Sequence, residues 1–474
     1  MIEALMLLPL ATGILCFFLR PALGRVLLVL TAWSHLGLTV AVWWAQPAAL
    51  WPDYFALSSE GLLSLGVISL LFALIAMYTR VFLPREKLEA ENIFLGAMLL
   101  FLSTMTMVTL SDHLMVMWIA IEATTLASAP LIYSHRTPGA LEATWKYVLI
   151  CSVGIAMALL GSVLVSVAMD AGQVQAALTF SDLSAHAAGL DPTWLKASFV
   201  FVLVGYGTKM GLAPMHTWLP DAHSEAPSPA SALLSGVLLN CAYLGIFKTS
   251  RILYAAGLGD FAGNVLIAFG LISMLAAATF IVRQTEIKRL LAYSSIENMG
   301  LIAIGTGIGG LGVYGAMLCL IHHSLIKSSL FLCSGHILLG VGSGRIDGVG
   351  ALIRRMPRTA ITFLAGFVGI GGLPPFGLFL GELFIVLAAI RAGRYAVVAV
   401  LVLCLTVAMA GFVRHVLRMA FADAGSSEPV PESLGLVWPQ LALLATSLLL
   451  LFWMPETLSQ TIQSAIATMG GVAR

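Results

Sequence analysis

The chain alternates long apolar runs with short polar stretches, and the runs are long enough to cross a bilayer, where a helical span takes about 20 mostly apolar residues. Reading the runs between charges and turn residues predicts about fourteen helices, near 2–20, 25–46, 61–84, 92–110, 113–134, 144–169, 194–223, 229–253, 261–282, 288–308, 311–339, 360–391, 395–418 and 436–454. The segment from about 172 to 192 departs from this rhythm and reads as a surface loop or interfacial helix. Two predicted spans, the seventh and the twelfth, are broken. The seventh holds Lys209 followed by Gly211-Leu-Ala-Pro214, and the twelfth holds Gly369-Ile-Gly-Gly-Leu-Pro-Pro375 with Glu382 beyond it. Broken hydrophobic helices at matching places in two halves of a chain point to an ion pathway in an internally repeated transporter.

Composition narrows the class. Hydrophobic residues make up 59% of the chain and charged residues 10%, with a mean hydropathy of +0.98, whereas soluble domains carry roughly 25% charge. The expected fold is an all-α polytopic membrane protein, one membrane domain over 1–474 with no separate soluble domain. The first apolar stretch, Ala4–Leu19, lacks a basic leader and is followed by further spans, so it is expected to be a retained first helix. Cys16, Cys151, Cys241, Cys319, Cys333 and Cys404 stand singly in apolar runs and read as small core residues. There is no Cys-x-x-Cys-His, clustered thiolate set, Walker loop or dinucleotide glycine fingerprint. The chain therefore offers no visible means of redox or nucleotide chemistry, and neither a bound cofactor or metal nor a nucleic-acid partner is expected.

Basic residues indicate orientation, since short cytoplasmic loops collect Lys and Arg. With the amino terminus outside, sixteen of the 24 fall on cytoplasmic loops and helix ends, and six (Lys196, Lys248, Arg251, Arg391, Arg394 and Arg474) fall on the other side. Lys209 and Lys327 are left within the membrane. Both termini are thus expected outside, with the chain in the inner (plasma) membrane.

A charge at the bilayer centre costs roughly 2.5–3.5 kcal/mol on insertion scales, so each must be paired, hydrated or functional. The outstanding cases are Glu122, Lys209, Lys327 and Glu382, with His322 and His323 beside Lys327. Glu122 lies near the middle of Leu114–Ile132, and its proton affinity would respond to movement of a nearby cation; it is either a proton-loading site or half of a static ion pair. Lys209 has the same two readings with the sign reversed, its glycines and Pro214 permitting close approach and unwinding. His323 and Lys327 share a helix face at the i, i+4 spacing and suit a proton relay, with structural hydrogen bonding and metal ligation as the other readings. Glu382 is the natural terminal of this axis. Glu142 and Lys146 read as a helix-end salt bridge able to tune Glu122. Asp221, His223 and Glu225 combine helix capping with a cytoplasmic water entrance, and Arg414 and His415 either snorkel or line a proton entrance.

These residues also resemble a known group. Lys209-Met-Gly-Leu-Ala-Pro-Met-His-Thr-Trp-Leu-Pro-Asp-Ala-His-Ser-Glu-Ala-Pro227 is similar to the signature of the antiporter-like subunits of respiratory complex I, the multisubunit cation/proton antiporters and the group 4 membrane-bound hydrogenases. Gln284-Thr-Glu-Ile-Lys-Arg-Leu-Leu-Ala-Tyr-Ser294, His323-Ser-Leu-Ile-Lys327 and Gly372-Leu-Pro-Pro375 add to it, and the similarity covers nearly the whole chain. Glu122-Ala-Thr-Thr-Leu126, Trp145-Lys-Tyr-Val-Leu-Ile-Cys-Ser-Val-Gly154 and Ser295-Ile-Glu-Asn-Met-Gly300 look most like component F of hydrogenase-4 and its formate hydrogenlyase relatives. The resemblance implies two inverted five-helix repeats, here 92–253 and 261–418, with 1–84 and 436–454 as flanking helices. It carries proton-transfer roles to Glu122, Lys209, Lys327 and Glu382. One departure is Asn240, at a place where complex I relatives usually have lysine, so a link from Lys209 to Lys327 needs water or His322 and His323. The chain also lacks the long lateral helix of the largest family members.

The expectation is a proton-translocating, non-redox subunit of an energy-converting oxidoreductase of the hydrogenase-4 or formate hydrogenlyase type. Nickel–iron and iron–sulfur centres would lie in partner subunits, some in the membrane and some peripheral. The alternatives are a complex I-type quinone oxidoreductase subunit, a sodium-exchanging antiporter module, a passive membrane anchor for a soluble enzyme, and an organic-solute carrier.

Overall fold

The computed structural model describes residues 1–422 and 428–469, and within them the chain is helical, with isolated β-bridges and no strand; Arg474 lies outside the described residues. The amino-terminal part comprises α1 (Ile2–Cys16), α2 (Pro21–Ala45), α3 (Ser59–Glu86), α4 (Glu91–Leu110), α5 (Leu114–Ile132) and α6 (Pro138–Gly172). The predicted surface segment holds the short α7 (Phe180–Ala185) and a 3-10 turn at Ala187–Gly189. Next come α8 (Pro192–Met210), α9 (Trp218–Glu225) and α10 (Ser228–Leu233), which passes through a π-helical turn at Leu234–Leu238 into α11 (Leu239–Ala255). The remaining part is α12 (Gly259–Ile281), α13 (Ile287–Ile308), α14 (Leu311–Val341), α15 (Leu352–Arg355), α16 (Pro357–Ile370), α17 (Leu378–Arg391), α18 (Tyr395–Phe421), α19 (Leu434–Phe452) and α20 (Glu456–Ala467).

Among the described residues, ten helices are long and apolar enough to cross a membrane, the continuous Ser228–Ala255 counting as one of them. The other predicted spans fall on shorter or more polar helices: α1, α8, α13 and the α16–α17 pair. Helix α20 answers to no predicted span.

Local signals set the boundaries. Asp191 caps α8 by accepting from the amides of Thr193 and Trp194 at 2.9 and 3.0 Å, and Pro192 occupies the first turn, where its missing N–H costs nothing. Thr137 and Pro138 do the same for α6, the threonine hydroxyl accepting from the Ala140 amide at 3.0 Å.

Packing gathers α4, α5, α6, α8 and α11 on one side and α12, α13, α14, α16, α17 and α18 on the other. Helix α3 touches both α4 and α14, and α19 packs on α14 and α3. The apolar windows of Ser228–Ala255 and Leu311–Val341 are 100% buried, against 28% for α18 and 39% for α6. The enclosed helices carry Asn240, Lys248, His322, His323 and Lys327, so polarity lies inside and the apolar side chains of α2, α6 and α18 face outward, as a bilayer solvent requires.

Candidate functional site

Helix α8 stops in mid-bundle because Gly211 takes a left-handed conformation (φ 84°), open to glycine at little steric cost. The break frees backbone groups that must find partners away from water. Leu212 N–H donates to the Gly207 carbonyl at 2.8 Å. The Trp218 indole donates to the Thr208 carbonyl at 2.8 Å, and the Ser273 hydroxyl accepts from the Ala213 amide at 2.9 Å.

Lys209 occupies the last turn of α8 and has no exposed surface. Its ammonium donates to the Thr125 hydroxyl at 2.6 Å and the Tyr147 hydroxyl at 2.7 Å, and lies 4.7 Å from the centre of the Tyr147 ring. Thr125 in turn donates to Glu122 Oε2 at 3.1 Å, while Ser152 donates to Glu122 Oε1 at 2.8 Å. Glu122 and Lys209 therefore meet through a hydroxyl. Sequence left open a proton-loading site or a static ion pair; the geometry is a hydroxyl-bridged pair with no direct Glu122–Lys209 ion pair among the described residues. Hydrogen bonds to a charged group are worth roughly 1.5–3 kcal/mol each. Two of them offset an insertion cost of roughly 2.5–3.5 kcal/mol, so the hydroxyls can hold the ammonium without a carboxylate in contact. Tyr147 is fixed by Ser128 at 2.6 Å and by Trp218, ring centres 4.9 Å apart. Glu122 is only partly buried and is flanked on α5 by exposed Ile119 and Leu126, which puts its carboxylate at the flank of the bundle.

The centre is built on α11, α13 and α14. Lys327, fully buried, donates to the Leu291 carbonyl at 2.6 Å and to the Ser294 hydroxyl. Asn240 stands just after the π-helical turn and donates to the Gly236 carbonyl at 3.0 Å and to Ser324 on α14 at 2.7 Å, leaving its Oδ1 unpartnered among the described residues. The two histidines separate. His323 is fully buried with neither ring nitrogen partnered among the described residues. His322 turns to a different face of α14, where Nδ1 meets the Ser447 hydroxyl of α19 at 2.9 Å and its ring crowds Gly377 beyond the second break.

At that second break Gly372 has φ 65°, and the Glu382 carboxylate folds back over it, so closely that a Cβ there would collide with both oxygens. Glu382 is partly buried and makes no hydrogen bond or ion pair among the described residues. Between it and Lys327 lies Glu297 of α13, 4% exposed and within electrostatic range of both. Sequence reasoning passed over Glu297 because it follows Lys288, Arg289 and two serines in what reads as the polar start of a helix. Its signal was its position, about halfway along a span. Thr125 and Tyr147 carry no comparable one-dimensional signal.

On the side bearing the basic loops, Lys146 pairs with Glu142 at 2.6 Å and with Asp221 at 3.1 Å, and Asp221 also binds Arg289 at 2.7 Å. With Glu225 these line a polar cavity of about 100 Å³. His223 is buried against Phe331, ring centres 4.6 Å apart, and His415 Nε2 contacts the Ile281 and Val282 carbonyls at 3.1 and 3.2 Å while Arg414 is exposed. No group of three or more His, Cys, Asp or Glu able to hold a metal ion occurs among the described residues.

A family model described as NADH:quinone oxidoreductase/Mrp antiporter, TM, matches residues 111–409, a range that contains Glu122, Lys209, Asn240, Glu297, His322, His323, Lys327 and Glu382. The chain belongs to this family. It is 39% identical over 330 residues to the hydrogenase-4 component F homolog of Methylacidiphilum infernorum (isolate V4), the match covering 69% of each chain. It is 30% identical over 361 residues to hydrogenase-4 component B of Escherichia coli (strain K12), covering 73% of this chain and 52% of that one; the chain thus spans about half the length of component B. A chain of respiratory complex I from Thermus thermophilus with bound NADH superposes with a TM-score of 0.85 at 25% identity, covering 99% of both. This antiporter-like subunit is of the kind that energy-converting membrane complexes contain, and its candidate site lies inside the conserved fold rather than in an appended segment.

Proposed function

We propose that the chain moves protons across the inner membrane as a non-redox subunit of a hydrogenase-4 or formate hydrogenlyase type complex, with nickel–iron and iron–sulfur chemistry in partner subunits. The observation that carries this reading is the Thr125 hydroxyl, which accepts from Lys209 and donates to Glu122. A hydroxyl in that position relays a change at one charge to the other: if Glu122 is drawn toward a neighbouring subunit at the flank, the Thr125 donor is released and the ammonium loses its counter-dipole. Charge displaced at Lys209 then acts on the Lys327, Glu297 and Glu382 group, with His323 and the Asn240–Ser324 contact between them. In this scheme 92–253 and 261–418 act as two half-channels, 1–84 and 436–454 flank them, both termini lie outside, and the Lys146–Asp221–Glu225 cavity is the cytoplasmic water entrance.

Lys209→Met is the direct test, since it keeps bulk and removes charge. The complex is expected to assemble and turn over its redox substrates while proton translocation per turnover falls by about a hundredfold, the lower end of what one positioned proton-transfer group contributes. Translocation equal to the parent complex would remove Lys209 from the mechanism. The family match and the complex I superposition favour a second assignment, to a quinone-reducing complex or a cation/proton antiporter. The subunits that co-purify with the chain, and transport measured with and without sodium, separate these assignments.

A further inference from the structure

Helix α11 carries a second set of buried charges that the axis above does not use. Lys248 and Arg251 follow Asn240 on the same helix, and at about 1.5 Å rise per residue Arg251 stands roughly 16 Å further along it, about half of a hydrocarbon core of roughly 30 Å. Charge counting assigns both residues to the surface opposite the basic loops. The fold buries Lys248 fully and Arg251 in large part. Lys248 has no exposed surface; its ammonium donates to the Ser111 carbonyl at 2.6 Å and lies 5.5 Å from the Phe180 ring centre. Arg251 donates to Glu60 Oε1 at 3.1 Å, and Glu60, in the first turn of α3, is 2% exposed.

The Arg251–Glu60 contact is one-pronged. Glu60 Oε2 and Arg251 Nε are both buried and unpartnered among the described residues. A pair serving only to clamp α3 to α11 gains most from the two-pronged geometry that guanidinium and carboxylate share, and buried polar atoms otherwise find partners. Here a carboxylate oxygen and an N–H are left open on facing groups. Back toward the bundle centre, the Tyr243 hydroxyl bonds Thr306 on α13 at 2.8 Å and lies within electrostatic range of Glu60. Lys248 also faces Asp112, which accepts from Ser181 at 2.5 Å and neighbours His113, whose ring packs on Tyr54 at 5.5 Å.

We propose that Glu60, with Arg251 and Lys248, is the outward proton-release site of this subunit, reached from the central axis along the α11 face through Tyr243 and Thr306. This rests on the proton-translocation reading. The open Glu60 oxygen takes a proton from a water that is itself reprotonated from the central axis, one O–H bond forming as another breaks at each step, and passes it to water at the outward end. Arg251 and Lys248 supply the countercharge once the proton has left, so nothing else is consumed.

The test is proton translocation per redox turnover by the whole complex in vesicles, for Glu60→Gln, Glu60→Asp, Tyr243→Phe and Lys209→Met, with assembled complex quantified in each. Glu60→Gln is expected to lower translocation about tenfold at unchanged assembly, to alter its dependence on the pH of the outward compartment, and to be largely restored by Glu60→Asp. A clamp alone predicts the reverse, less assembled complex with translocation per complex unchanged, and that result overturns the proposal. If Glu60→Gln fails to assemble, Tyr243→Phe decides, since it removes one hydroxyl and keeps the packing; parental translocation in that variant also overturns it. Lys209→Met distinguishes the two levels. Loss there with a parental Glu60→Gln rejects the release site alone, whereas parental behaviour in both rejects the pathway itself.

Discussion

The two helix breaks are built alike and used differently. At each, a positive-φ glycine ends a helix in mid-bundle, Gly211 at φ 84° and Gly372 at φ 65°. Around the first, Trp218 and Ser273 take up freed backbone groups, and Thr125 and Tyr147 hold Lys209 by neutral hydroxyls. Around the second, Glu382 lies over its own turn without a hydrogen-bond partner among the described residues, and at longer range it faces Glu297, which in turn faces Lys327. A satisfied charge is pinned, and a charge lacking protein donors depends on whatever polar molecule reaches it. The first break therefore looks suited to holding a charge and sensing its surroundings, and the second to exchanging protons.

Substituting the two glycines tests this contrast most severely. In Gly372→Ala the new Cβ would collide with the Glu382 carboxylate as well as straining the turn, so translocation is expected to be lost, measured as acidification per redox turnover. Gly211→Ala carries the same left-handed penalty, roughly 1–2 kcal/mol, but its Cβ would meet only the flexible end of Leu219, 2.8 Å away. That variant is expected to lose thermal stability and keep most of its transport. Equal loss of transport in both would erase the distinction between the breaks.

Thr125→Val comes next, because it removes the bridge and keeps the shape. Lys209 and Glu122 each lose a partner, at about 1–3 kcal/mol, and translocation is expected to fall about tenfold. Ser152→Ala removes a donor to Glu122 without touching Lys209, and a smaller effect is expected. If the two variants behave alike, the relay through Thr125 is wrong and the hydroxyls only solvate the carboxylate.

These variants rest on residues that the sequence disclosed unevenly. Glu122, Lys209, Lys327 and Glu382 were legible because a charge inside an apolar run is costly, and the breaks because Gly and Pro punctuate a helix whatever surrounds it. Helix positions followed from hydropathy for the same reason. What the pattern could not carry was pairing. Thr125 and Tyr147 are ordinary residues until α5, α6 and α8 bring them to one ammonium. Glu297 was masked by its polar neighbours, and Lys248 and Arg251 sat where a surface charge is expected until packing of α3, α7 and α11 enclosed them. His322 and His323, adjacent in sequence, were read as one relay, but a helix turns about 100° per residue and sends them to different faces of α14.

That separation gives a prediction with opposite signs for stability and function. His323 is buried with both nitrogens unpartnered among the described residues, so His323→Leu removes an unsatisfied polar group and is expected to leave thermal stability unchanged or raised. If His323 relays protons, translocation falls several-fold. His322→Leu breaks the Ser447 contact and is expected to do the reverse, losing stability with little change in transport. A His323→Leu complex that is less stable yet transports normally would make that ring structural.

Asn240 is expected to show the smallest effect, and the reason bears on the contrast between the halves. Its amide joins the π-helical turn to Ser324 and so links α11 to α14, the two wholly enclosed helices, without carrying charge. Asn240→Leu leaves Ser324 bonded to the Leu320 carbonyl at 2.6 Å, so only neutral bonds are lost, each worth roughly 0.5–1.5 kcal/mol. Translocation is expected to fall about threefold, the lower end of that range. Ser324→Ala is expected to do no more, and the double variant no more than either single one, because both remove the same contact. Additive losses would mean that Asn240 and Ser324 serve separate routes, and the satisfied first half and the open second half would then communicate by a path other than the α11–α14 seam.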